Sequence, residues 1–151
     1  MENKIKTWHW YVLIFIILSA LVLKFWQYRW SDTIVELNGQ TLHVLVAETM
    51  WQQQRGLGRR GSLGNYDGML FPHDFYEKIG IVMRDMRFPI DIVWFANGKV
   101  VDIAKNVPLD NVSEDQLRVY RPRLESNLVL ELPASSADKL DIKIGDIIVI
   151  K

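Results

Sequence analysis

Apolar positions follow two unlike patterns along this chain. From Trp8 to Leu23 they run almost without a break; from Thr33 onward they come as short alternating or continuous stretches cut by turn residues. The first pattern predicts a helix that meets hydrocarbon on all sides. Its sixteen residues at ~1.5 Å rise span ~24 Å. Adding Lys24–Trp26, with the lysine stem reaching back to the headgroups, brings the span to ~28 Å, close to the ~30 Å of a bilayer core. Trp8 and Trp10 at one end, and Trp26, Tyr28 and Trp30 at the other, are the amphipathic rings that favour the interface. His9 reads as a polar group at headgroup level.

Lys4 and Lys6 would serve a signal peptide as well as an anchor. Cleavage, however, needs small residues just beyond the apolar run. Here the run continues into Val22-Leu23-Lys24-Phe25-Trp26, so a retained transmembrane anchor is expected. Lys4 and Lys6 are balanced by Lys24 and Arg29, which leaves the positive-inside count level. A short tail before a large C-terminal domain predicts a signal anchor with the domain outside the cytoplasm. The expected organisation is residues 1–7 as a cytoplasmic tail, 8–28 as the anchor, 29–36 as juncture and first strand, and 37–151 as the domain.

The second pattern predicts strands. Thr33–Leu37 and Gln40–Ala47 flank Asn38-Gly39, and Ile92–Phe95 and Lys99–Ala104 flank Asn97-Gly98. Asn-Gly supplies the two positive φ angles of a type I′ hairpin. Gly68–Phe71, Lys78–Met83, Asn127–Leu132 and Asp146–Ile150 read as further strands. Thr49-Met50-Trp51-Gln52 fits a capping box with Gly56 as the stop, and Ala134–Leu140 follows Pro133 as a second short helix. The expected class is mainly β: a compact antiparallel sandwich or barrel-like domain with two short helices, preceded by one transmembrane helix.

Charge and composition narrow the function. Residues 33–151 carry fourteen Lys+Arg against sixteen Asp+Glu, a net charge of −2, whereas nucleic acid wants a concentrated positive face. The chain has no cysteine, which removes disulfides, thiolate nucleophiles and Cys-bound zinc. There is no Gly-x-Ser-x-Gly elbow, and Gly56-Leu57-Gly58 lacks the rest of a phosphate loop.

Three polar groupings remain. Arginines gather at 55, 59 and 60, at 84 and 87, and at 118, 121 and 123. Such groups bind phosphate, carboxylate or lipid headgroups, or simply occupy a solvated face and a helix C-terminus. Met83-Arg84-Asp85-Met86, with Met69 and His73, raises Cu(I) binding by thioethers; methionine otherwise fills core gaps. Asp85, Asp91 and Glu131 are acids set in apolar sequence. A pair of them about 5–9 Å apart would suit acid–base hydrolysis, and singly they would point to solvent or bind backbone N–H groups and arginine.

The motifs Arg55-Gly56-Leu57, Gly68-Met69-Leu70-Phe71, Met83-Arg84-Asp85-Met86, Pro89-Ile90-Asp91-Ile92, Leu130-Glu131 and Gly145-Asp146 stand in an order and spacing that resembles domain of unknown function 192, also called uncharacterised protein family 0127. The resemblance covers about residues 37–150. It implies a small β-rich sandwich, often exported or tethered by one N-terminal hydrophobic segment, with no established biochemical role. This chain has Gly58 where that family usually has methionine, Val82 for tryptophan, Asp85 for asparagine and Ser135 for glycine. Arg59, Asp85, Asp91 and Glu131 are hardest to explain by packing and are the candidate ligand-binding residues, expected to converge. The expected function is a non-catalytic binding or accessory module of the cell envelope, partnered by the membrane and by an envelope protein or small anionic ligand. No cofactor or metal is expected. The alternatives are a carboxylate-dependent hydrolase using Asp91 with Glu131 or Asp85, and a Met-based Cu(I)-binding protein.

Overall fold

Both Asn-Gly pairs form the hairpins their composition dictates: φ is 52° and 73° at Asn38-Gly39, and 51° and 72° at Asn97-Gly98. These left-handed pairs match the twist of the flanking strands. Around them a computed structural model describes residues 7–27 and 29–151, with the α1 side chains described over 8–24. Residues 1–6 of the expected tail (1–7) and Tyr28 of the expected anchor lie outside the described residues, and Thr7 of that tail already belongs to helix α1. The chain divides into two units at Trp30/Ser31.

The first unit contains helix α1, Thr7–Gln27. Its described side chains are exposed apart from Ser19. No helix among the described residues is long and apolar enough to cross a membrane, so the structure lends the expected anchor no support of its own.

The second unit is a seven-stranded sheet curled into a half-barrel. Its strands are β1 (Ser31–Leu37), β2 (Gln40–Val46), β3 (Gly68–Glu77), β5 (Ile90–Ala96), β6 (Lys99–Val107), β8 (Ser126–Pro133) and β9 (Ile148–Ile150), in the order β6-β5-β8-β3-β2-β1-β9. A separate two-stranded sheet pairs β4 (Ile81–Val82) with β7 (Val119–Tyr120). Helix α2 (Met50–Arg55) connects β2 to β3, and α3 (Ser136–Lys139) connects β8 to β9.

Of the two forms expected, the sheet takes the barrel-like one. The expectation of purely antiparallel pairing needs correction: β2 and β3 are parallel, Val44 opposite Gly68 and Val46 opposite Leu70. Parallel neighbours need a long crossover, and residues 47–67 with α2 provide it. The stretch Lys78–Met83, expected as one strand, is a strand only at Ile81–Val82.

One core fills the inside of the curl, with Val35, Leu37, Val44, Leu70, Val93, Phe95, Leu128, Leu130 and Leu132 among its members. The outer face of β3, β8 and β5 is apolar and buried too, carrying Met69, Phe71, Val129, Ile92 and Trp94. Central strands buried on both faces read as near-continuous apolar runs, as Ile90–Phe95 and Leu128–Leu132 do.

Covering segments lie on this outer face. Thr49 accepts from the Gln52 N–H and the Gln52 side chain accepts from Thr49 N–H, the expected capping box. Gln53 Nε2 donates to the Pro72 carbonyl at 2.8 Å, tying α2 to β3. The Trp94 indole donates to the Ile79 carbonyl at 2.9 Å, tying the segment after β3 to β5.

Gly68 marks the tightest approach in the sheet. A Cβ there would meet the Glu131 carbonyl oxygen at 2.5 Å and Leu132 Cδ2 at 2.8 Å. Gly68→Ala is therefore expected to cost about 1–3 kcal/mol through overpacking, measured as a lower midpoint in equilibrium denaturation. An unchanged midpoint would show that β8 yields without cost.

Candidate functional site

The pleat sorts the four candidate residues before any chemistry does. Directly opposed residues on neighbouring strands share a face, and successive residues alternate. Asp91 opposes Leu132, and Ile92 opposes Glu131. Leu132 belongs to the inner core, so Asp91 points inward and Glu131 outward. The expected convergence of Arg59, Asp85, Asp91 and Glu131 does not occur; they occupy three places.

Asp91 is fully buried, and backbone donors satisfy it. Its Oδ1 accepts from Asn106 N–H and its Oδ2 from Ala137 N–H, both at 2.7 Å. Ala137 lies in the first turn of α3, where backbone donors lack intrahelical partners. Ser135, in the N-cap position at φ 69°, makes no side-chain cap bond; its hydroxyl donates to Asn106 Oδ1 at 3.0 Å instead. Asp91 thus caps α3 from a neighbouring strand and pins the end of β6 to it. Its place on the inner face, away from the outward carboxyl of Glu131, does not suit it to be the second carboxylate of a hydrolytic pair.

Arg59 and Asp85 do meet. Arg59 Nε donates to Asp85 Oδ2 at 2.8 Å, with both side chains substantially exposed, and Arg59 N–H donates to the Asp85 carbonyl at 2.8 Å. Both residues have positive φ, 64° and 55°. An exposed pair of this kind contributes little stability by itself; the geometry it holds matters more. A Cβ at Gly58 would meet Arg55 O at 2.9 Å and Arg84 O at 3.0 Å, so glycine there lets the 55–59 turn close against the 84–85 turn.

Arg59 and Asp85 line a cavity of about 250 Å³ with Trp51, and Arg55, Gly58 and Arg84 are shared between it and the cleft that holds Glu131. The outward carboxyl of Glu131 lies in a cavity of about 270 Å³ between the sheet, α2 with the turn that follows it, and the segment from Ile79 to Ile90. Phe71, Ile79, Val82 and Ile90 supply apolar walls, while Arg55 and Arg84 belong to the segments lying over the sheet. The packing is close: a Cβ on Gly56, at φ 48°, would touch the Phe71 ring at 3.5 Å.

Glu131 is only 5 % exposed, and no hydrogen bond or ion pair of its carboxyl is formed among the described residues. Burial pushes its pKa up to about 8, since low polarity disfavours the ionised form, and neither arginine offsets that burial. At neutral pH it is mainly a carboxylic acid, a hydrogen-bond donor as well as an acceptor. His73, lining the same cleft, has its pKa lowered, chiefly by burial and against the opposing pull of Glu77 and Asp74.

The methionines separate. Met69 and Met83 are buried at 0 % and 1 % exposure, whereas Met50 and Met86 line the cleft. Among the described residues, no group of three or more His, Asp or Glu side chains is placed to hold a metal ion. Sequence reasoning missed Arg55 and Arg84 as individual site residues, although both fell within its arginine groupings.

Two substitutions separate structural from functional acids. Asp91→Ala strands the buried N–H of Ala137 and the partly buried N–H of Asn106 and should cost about 2 kcal/mol or more, read by equilibrium denaturation. Glu131→Gln should do the opposite, in a pH-dependent way. Below about pH 4.5 the acid is protonated in both states; between there and about 8 the folded chain keeps a proton that the unfolded chain releases. Wild-type stability therefore falls with rising pH through that window, at no more than about 1.4 kcal/mol per pH unit, and levels off above it. Relative to wild type, the Gln variant should gain stability across the same window. Parallel pH profiles for the two proteins would show that Glu131 is not held protonated.

No curated protein matches the chain. Its fold resembles a solved protein from Sinorhizobium meliloti 1021, described provisionally as a transcription regulator. That likeness has TM-score 0.71 and 26 % identity, covering 80 % of this chain and 95 % of that one. A protein of unknown function from Novosphingobium aromaticivorans DSM 12444 is similar at TM-score 0.70 and 25 % identity, over 78 % of this chain and 84 % of that one. The sequence signature of DUF192, described as an uncharacterised group, matches residues 33–150. The chain belongs to the DUF192 family.

Proposed function

We propose that this chain is a single-pass, membrane-anchored protein whose DUF192 domain lies outside the cytoplasm and acts as a non-catalytic binding module of the cell envelope. The cleft over the outer face of β8 is its ligand site. One observation carries the binding half of this reading. Glu131 is a buried carboxyl without an internal partner, facing an open cavity. Burying such a group costs free energy, and a strained or unsatisfied group aimed into a cleft is what a ligand can satisfy.

Other features support a binder over a hydrolase. Asp91 sits on the opposite face of the sheet, and Asp85 is engaged by Arg59. The transcriptional description of the S. meliloti protein finds no echo here, because residues 33–151 carry a net charge of −2 where a polyanion would be served by a positive face.

Anchoring rests on the sequence of the N-terminal unit. The Trp8–Leu23 run is apolar but for His9 and Ser19, and α1 leaves its side chains largely uncovered. A contiguous apolar surface of that extent marks an interaction site, and flanking aromatics are the residues of a lipid interface.

Protease added to intact spheroplasts should remove the domain, and N-terminal sequencing of the mature protein should begin at or next to Met1. Full protection would place the domain in the cytoplasm, and a new terminus after Ala20 would replace the anchor by a cleaved signal.

A further inference from the structure

We propose that the cleft takes a small amphipathic monoanion, a compact apolar body with a carboxylate at one end and a hydroxyl-type hydrogen-bonding group at the other. This deepens the binding reading above and rests on it. The walls set the body. Phe71, Ile79, Val82 and Ile90 line the cavity, whose volume of about 270 Å³ lies just below the usual range of small-molecule sites. An aromatic metabolite of one ring suits it better than a lipid chain or a peptide.

The charged groups set the sign. Arg55 lines the cleft from α2, and its guanidinium lies 5.6 Å from the centre of the Trp51 ring, at the border with the adjoining cavity that Arg59 and Asp85 line. Arg84 faces it from the segment before β5 and is paired at 2.8 Å with Glu114, in a pair that is exposed on both sides. A pair so exposed exchanges readily for a ligand carboxylate, and guanidinium groups bind carboxylates in the bidentate geometry that ammonium groups do not match. From β3, His73 is kept toward its neutral form by burial, and from β8 Glu131 keeps its proton near neutrality. The cations lining the cavity are thus Arg55 and Arg84, the second of them shared with Glu114.

Glu131 then supplies selectivity for the distal group. An acid buried without a partner bonds a hydroxyl in either direction, donating through its own O–H or accepting through its carbonyl oxygen. A ligand lacking that hydroxyl leaves the carboxyl unsatisfied, and sites of that kind reject such analogues strongly.

The test uses the full chain in lipid nanodiscs, with empty nanodiscs as the blank, and calorimetric titration of three molecules of one shape: 4-hydroxybenzoate, 4-hydroxybenzamide and 4-hydroxybenzylamine. The anion should bind at least about tenfold tighter than the other two, and Arg55→Gln or Arg84→Gln should reduce that preference. Benzoate, which lacks the hydroxyl, should bind several-fold more weakly than 4-hydroxybenzoate to the wild type. That difference should vanish in Glu131→Leu and persist in Glu131→Gln, whose amide keeps both bonding roles. Tighter binding of the amine or equal binding of all three would overturn the anion assignment while leaving the cleft a ligand site. Absence of binding by all three at millimolar concentration would overturn both readings.

Discussion

Strand β8 is buried on both faces, and most of the molecule follows from that constraint. Its inner side chains, Leu128, Leu130 and Leu132, close the half-barrel core. Its outer ones, Val129 and Glu131, would meet water on an uncovered sheet, yet they are 0 % and 5 % exposed. The cover is built from pieces too short to be stable alone: one and a half turns of helix, two-residue strands and the turns between them. They are held to the sheet by side chains that donate to backbone carbonyls, as with Gln53 on Pro72 and Trp94 on Ile79. A cover assembled from fragments does not fit the curled sheet without gaps. The cleft is the gap it leaves, and Glu131 is what the sheet places in it.

Local chemistry made much of this fold readable. The Asn-Gly pairs, the Thr49–Gln52 box and the apolar runs of β5 and β8 each declare themselves within a few residues, because the interactions that select them are equally local. The parallel joining of β2 to β3 and the β4–β7 pair are different. Their partners lie more than twenty residues apart, and neither Ile81–Val82 nor Val119–Tyr120 is long enough to show a period. The candidate acids fail to converge for a related reason. On a half-exposed strand, alternation of apolar and polar residues tells which way a side chain points; where both faces are apolar it does not. Asp91 and Glu131 look alike in Ile-Asp-Ile and Leu-Glu-Leu, and only the β5–β8 register, Ile92 opposite Glu131, assigns them to opposite faces.

The departures from the family pattern also gain a physical meaning. Asp85 and Ser135 replace residues that tolerate left-handed backbone, and both remain left-handed here, at φ 55° and 69°. Asp retains a tolerance for that region through its short polar side chain, whereas Ser is the less natural occupant. At 85 the side chain is held by Arg59, and at 135 the hydroxyl is held by Asn106. Val82, another such departure, lines the cleft.

The seam of the half-barrel has a consequence for how copies of this chain behave in company. Lys99 bridges to Ile147, and Val100 N–H donates to the Asp146 carbonyl while Ile148 N–H donates to the Gly98 carbonyl. The two outermost strands thus meet near one end of the curl and spend part of their edge hydrogen-bonding capacity on each other. Open sheet edges are templates for fibril-like stacking between neighbouring molecules. Each bond made across the seam is one that the edge of a neighbouring molecule's sheet can no longer take up.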